Sequence, residues 1–200
     1  MLAIQIGNVI VYFEPLIIFL AVIGAILIVY LVFALLLRYR GRKVTESFAS
    51  GDYGIVLIDG EKLLKTYQKY AKRYPHPKTL SWIEYLHFAM AVSYFSVKNY
   101  EQFLYHINAF NQNHDIKEFW LSLYYLQQND PDRFQSHYAN IKVSEETLPN
   151  RTYLESMKLY TQGEYGLAKT KMSEIYAALK HPVLKQIADV VLSENSSAET

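Results

Sequence analysis

Leu16 to Leu37 form a run of twenty-two residues with no charged, amide or proline side chain, and Arg38-Tyr39-Arg40-Gly41-Arg42-Lys43 follows directly. As a helix rising about 1.5 Å per residue, the run is roughly 33 Å long, enough to cross a hydrocarbon core about 30 Å thick. Lipid offers no water to satisfy backbone N–H and C=O groups, so a single segment of this kind is confined to a helix. No Lys or Arg precedes residue 38, and four stand in the six positions after the run. The positive-inside rule therefore places Met1 outside and residues 38–200 in the cytoplasm. The run is too long for the apolar part of a cleavable signal peptide. It also has no basic segment before it and no A-x-A site behind it, so a retained anchor is expected.

The chain divides accordingly. Residues 1–15 are expected to be a short extracytoplasmic segment that extends the helix or lies in the interface. Residues 16–37 form the transmembrane helix, and 38–50 a basic juxtamembrane linker whose Arg38, Arg40, Arg42 and Lys43 touch lipid headgroups. The 157 residues beyond Lys43 are the size of one domain with room for a core. From Val44 onward, 16 Lys and Arg face 18 Asp and Glu. A domain without positive excess is poorly suited to neutralising phosphates, which argues against a nucleic-acid partner. No cysteine is present, which excludes disulfides, thiolate catalysis and cysteine-ligated metals. These features suit a single-pass protein of a bacterial plasma membrane.

Beyond the anchor the apolar pattern is helical almost throughout, and the fold class is all-α. Helices are expected at 54–73, 80–96, 100–111, 116–128, 131–141, 150–162, 165–179 and 183–193, with a frayed polar tail at 194–200. Prolines 75, 77, 131, 149 and 182 fall between periodic stretches. A recurring turn organises these helices: Gly51-Asp52-Tyr53, Lys98-Asn99-Tyr100, Asp132-Arg133-Phe134 and Gly163-Glu164-Tyr165. Their aromatics lie 47, 34 and 31 residues apart. Two antiparallel helices joined by a short turn cannot bury their apolar faces alone, so each hairpin needs the next to cover it.

These turns resemble those of the tetratricopeptide repeat, in which a Gly-acid-Tyr turn is followed three residues later by a small residue. Gly163-Glu164-Tyr165 with Ala168 matches best. Gly51-Asp52-Tyr53 has Val56 at that place, and Lys98-Asn99-Tyr100 has Phe103, with Tyr94 supplying the usual aromatic six residues before Tyr100. Asp132-Arg133-Phe134 departs furthest, with His137 there. The resemblance covers about residues 45–180 and implies an antiparallel α-solenoid over 51–193; a helical bundle without repeats is the alternative.

It also implies that the first helix of each hairpin lines a concave face. That face would display Tyr85, Phe88, Val92 and Phe95, then Phe119, Ser122 and Leu126, then Tyr153, Met157 and Tyr160. Aromatic and Met side chains with few charges suit capture of an apolar or extended peptide; helix stripes at this spacing equally suit a core. On the helix after the first turn, Lys62, Lys65, Lys69, Lys72 and Arg73 form a basic stripe suited to anionic headgroups or to solvent.

Catalytic signatures do not occur. There is no Walker loop, GxGxxG, GxSxG or HExxH, and the six histidines show no metal-ligand spacing. No catalytic residue, cofactor or metal is expected. Ala21, Gly24 and Ala25 make a small-residue patch that could pack a second span in a homo-oligomer. The expected function is a membrane-anchored scaffold that binds a protein segment at the cytoplasmic face. A structural accessory subunit of a membrane complex is the alternative, and a membrane-bound enzyme a more distant one.

Overall fold

The computed structural model describes residues 3–6, 9–12 and 14–193, with side chains from residue 17 onward. The expected tail at 194–200 lies outside the described residues. The chain forms two compact units, residues 1–43 and residues from 44 on.

In the first unit, β1 (Ala3–Ile6) pairs antiparallel with β2 (Val9–Tyr12), Ala3 opposite Tyr12 and Ile6 opposite Val9. This corrects the expectation that the segment extends the helix. Five of the eight strand residues are β-branched, and such side chains favour a pleated backbone over a helix. A single helix, α1 (Glu14–Ser50), then runs through the apolar stretch. It is long and apolar enough to cross a membrane, and none of residues 17–37 is buried. The expected linker at 38–50 is helical as well, so the basic cluster lies on the same element as the span.

The second unit is all-α. It comprises the end of α1 from Val44, then α2 (Tyr53–Ala71), α3 (Pro77–Ser96), α4 (Tyr100–Ala109), α5 (His114–Gln127) and α6 (Pro131–Asn140). It continues with α7 (Leu148–Thr161), α8 (Tyr165–Ile175), a 3-10 turn at Tyr176–Ala178 and α9 (Pro182–Ser193). All eight helices expected in this region form.

Four reversals share one geometry. Gly51, Lys98, Asn129 and Gly163 have φ of 82°, 59°, 55° and 82°. In each case the next N–H reaches back five residues: Asp52 to Ser47 (2.8 Å), Asn99 to Tyr94 (2.9 Å), Asp130 to Tyr125 (3.0 Å) and Glu164 to Leu159 (3.0 Å). This 6→1 bond satisfies a terminal helix carbonyl that would otherwise be left unpaired. Asp52, Asn99 and Asp130 then cap the following helix by accepting from the N–H of Ile55, Gln102 and Arg133. Five positions after each left-handed residue comes a buried plug: Val56, Phe103, Phe134 and Ala168.

The third turn is therefore Asn129-Asp130-Pro131, three residues earlier than expected. Phe134 is the buried plug rather than the turn aromatic, and His137 is not the counterpart of the small residue. Pro131 takes the first helical position, where its missing N–H costs nothing, so this turn has no aromatic marker in the sequence.

The hairpins α3–α4 and α5–α6 correspond further, at an offset of 31 residues. Glu84 accepts from the N–H of Asn111 (2.6 Å) and Asp115 from that of Lys142 (3.0 Å). His87 bonds His106 (2.9 Å), and Glu118 bonds His137 (2.8 Å). Tyr94 stacks on His106 at 5.5 Å and Tyr125 on His137 at 5.1 Å. Each hairpin carries the same cross-helix brace built from different residues.

A non-glycine residue at positive φ is strained, so Lys98→Gly should stabilise the domain by about 0.5–1 kcal/mol. Gly51→Ala should cost more than Gly163→Ala. Both lose the favourable left-handed glycine, but a Cβ at 51 would also lie 3.3 Å from Pro182 Cβ while one at 163 meets nothing within 4 Å. Thermal unfolding of the three variants in detergent micelles, followed by circular dichroism, checks the order.

Candidate functional site

The residues expected to line a concave groove do not form an open one. Val92, Phe95, Phe119, Ser122, Tyr153 and Met157 are buried, and Tyr85, Phe88, Leu126 and Tyr160 are half-buried. The chain itself covers this face. His181 meets Phe48 of α1 at 4.8 Å between ring centres and Trp120 of α5 at 5.9 Å. Tyr153 of α7 donates a hydrogen bond from its hydroxyl to the Leu184 carbonyl, 3.3 Å away. Val183, Leu184, Ala188 and Val191 of α9 are buried. The aromatic stripe is thus core, because the C-terminal helix brings its own apolar face to the helices that would have lined a groove.

One open cleft lies at the start of α3. Thr45, Pro77, Lys78, Ser81, Trp82 and Tyr85 line a cleft of about 580 Å³, within the range of binding pockets. Its aromatic wall is held in place. Trp82 stacks on Tyr67 of α2 (6.1 Å, 5° between planes) and meets Tyr85 edge-on (5.6 Å, 88°). Tyr85 in turn meets Phe48 edge-on at 6.2 Å. Burial raises the Tyr85 pKa, and a hydrogen bond with Thr45 partly opposes the shift. A fixed aromatic wall with few polar groups can seat an apolar side chain without first losing much rotamer freedom. Of its lining, only Tyr85 was expected from sequence. The signal that could have found it is the tyrosine and tryptophan pattern Tyr67, Trp82, Tyr85 on either side of the Pro75-His76-Pro77 turn.

The basic stripe stands on α2 and its C-terminal end, and all five of its cations are exposed. It is not uniform, since Lys65 is paired with Glu61 at 2.7 Å. Arg38, Arg40, Arg42 and Lys43 lie on α1 directly after the apolar stretch.

Of the groups lining the cleft, Tyr85 has a shifted pKa; three histidines are shifted within the domain interior. His87 Nδ1 and His106 Nδ1 are 2.9 Å apart, and the Gln68 amide nitrogen is 3.4 Å from His87 Nε2. Both contacts are satisfied when Nε2 of His87 accepts and its Nδ1 carries the proton donated to His106. Burial lowers both pKa values; Glu84 opposes the shift at His87. At His106 the charge of His87 adds to the effect and Glu61 opposes it, leaving a pKa of about 4. Burial alone takes His181 to about 4. Glu155 accepts from Tyr138 (2.6 Å) and Lys171 (2.8 Å), tying α6, α7 and α8 together. Among the described residues no three His, Asp or Glu side chains are arranged to hold a metal ion.

Comparison with protein-family models, with curated proteins and with solved structures gives no match.

Tyr153→Ala removes a fully buried ring and should destabilise the domain by about 3–5 kcal/mol, read as a large drop in the denaturation midpoint. A second outcome concerns acid. His106 and His181 have folded pKa values near 4 against an ordinary 6.5, so the unfolded chain binds protons first as pH falls. Their contribution is complete above pH 6.5 and declines down to pH 4, by on the order of 1–2 kcal/mol for each at pH 5. The melting temperature should fall between pH 7 and pH 5, and fall less in His106→Gln than in the parent.

Proposed function

We propose that the chain is a membrane-anchored scaffold whose helical domain recruits a protein segment beside the bilayer on the cytoplasmic side. The observation that carries this reading is the open aromatic cleft at Trp82 and Tyr85, whose lining includes Thr45. Thr45 is eight residues from Leu37, the last residue of the apolar run. Even fully extended, eight residues span at most about 28 Å, so whatever enters the cleft is held close to the membrane. The partner that fits is an apolar or amphipathic segment flanking the span of another membrane protein.

The domain itself is read as a degenerate tetratricopeptide-like solenoid. Its four equivalent left-handed turns and the 31-residue correspondence between two hairpins support this. The docking surface differs from the concave face that the resemblance implies, since α9 covers that face. The one-sided basic flank supports a plasma-membrane topology with the N-terminus outside and the domain in the cytoplasm.

The test is photo-crosslinking in native membranes. A crosslinking amino acid at Ser81, which is exposed, should give one discrete adduct. Filling the cleft with Thr45→Trp should abolish it without loss of helicity. If no adduct forms from Ser81 while the same group at Gly24 does trap a partner, the protein is instead an accessory subunit that makes its contacts through the span.

A further inference from the structure

Between residues 62 and 83 the chain carries six cations and no carboxylate, whereas the rest of the domain from Val44 carries ten cations and eighteen carboxylates. The domain is therefore strongly polar in charge, with its positive share on the C-terminal part of α2, the turn after it and the start of α3. At the tip of this hairpin the exposed surface is also apolar. Tyr70, Tyr74 and Leu80 are 48%, 62% and 48% exposed, and the two tyrosine rings lie 5.5 Å apart. Lys69, Lys72, Arg73 and Lys78 stand among them, all exposed.

The direction of the helices decides which end of the domain this tip occupies. Thr45 shares the cleft with Pro77, Lys78, Ser81 and Trp82, and Phe48 three residues on meets Tyr85 and Phe88. The start of the domain thus runs alongside α3 in the same direction. Residues 72–76, which join α2 to α3, consequently lie at the end of the domain where the chain arrives from Lys43. Val44, where the helical unit begins, is seven residues along the chain from Leu37, at most about 25 Å even fully extended.

We propose that the α2–α3 tip is a second membrane contact: Lys69, Lys72, Arg73 and Lys78 meet anionic headgroups while Tyr70, Tyr74 and Leu80 enter the interface. Tyrosine favours this depth because its ring is apolar and its hydroxyl stays wet. Basic residues near an anionic leaflet are attracted over about one Debye length. A soluble polyanion would satisfy the cations alone. The three exposed apolar side chains among them, and the tether, select a bilayer. The sequence stripe is narrowed by this reading: Lys65 is already paired with Glu61, and Lys78 joins the contact from the far side of the turn. The inference does not depend on what occupies the cleft.

The chain has no cysteine, so a single one can be labelled cleanly. Full-length protein carrying Pro75→Cys with a polarity-sensitive fluorophore is reconstituted into vesicles of phosphatidylcholine with or without 30 mol% phosphatidylglycerol, about that fraction being enough to set a negative surface potential. Brominated lipid should quench the label at 75 in anionic vesicles, and quench it little in neutral ones. A control label at Val143→Cys, which is 80% exposed, should stay aqueous in both. Replacing Lys69, Lys72, Arg73 and Lys78 together by Gln should lower quenching of the label at 75 roughly tenfold or more, with helicity unchanged. A label at 75 that stays aqueous on anionic vesicles overturns the proposal, even if added RNA or polyglutamate immobilises it. Quenching unaffected by the four Gln substitutions overturns it as well.

Discussion

Phe48, Trp120 and Tyr153 stand on three different helices and converge on the four residues His181–Leu184. The order of the helical domain depends on this convergence. Each hairpin buries one apolar stripe against its neighbour and leaves another facing inward. An uncovered row of that size is unstable in water at about 25 cal/mol for each Å² exposed. The α9 helix, with Val183, Leu184, Ala188 and Val191 on one side, supplies the missing surface. In doing so it changes what the domain can do, because the face most suited to a bound peptide is already taken.

The hairpins show how loosely sequence constrains a repeated geometry. One turn is made with Gly at two places, Lys at a third and Asn at a fourth. The conserved element is the backbone bond from the following residue to a carbonyl five positions back, which any side chain permits at some conformational cost. The brace across each hairpin is equally interchangeable. Two histidines in one repeat and a glutamate with a histidine in the next make bonds of similar length across their hairpins, 2.9 and 2.8 Å. Burial sets the price of the first version, a pair of rings that must stay neutral.

Charge and exposure set the outer surface apart from this core. The positive segment around the α2–α3 turn faces a domain that is otherwise acidic, and the cleft of Trp82 and Tyr85 lies on the same end. Thr45 and the α2–α3 turn both belong to the start of the helical unit. The scaffold reading and the second membrane contact rest on this shared location, one on a cavity and the other on a charged tip.

The long apolar helix, the helical class and the eight helices beyond it were legible in the order of residues. Their causes are local: a long uncharged run, a period near 3.6, and prolines confined to breaks. Three things were not legible. The N-terminal strands are four-residue, largely apolar runs, which periodicity alone does not separate from helix. The third turn carries Pro131 where its equivalents carry tyrosine, so counting aromatics placed it three residues late. The candidate groove was assigned to Val92, Phe119 and Tyr153 because an apolar stripe reads the same whether it faces a ligand or another helix. Only the tertiary structure decides that, since it alone brings residue 184 to residue 153. The sequence by itself determined a helix long and apolar enough to cross a membrane and a helical continuation, because both follow from short-range periodicity and solvation. The packing of α9 decided which surfaces remain open, because that depends on contacts between residues far apart in the chain.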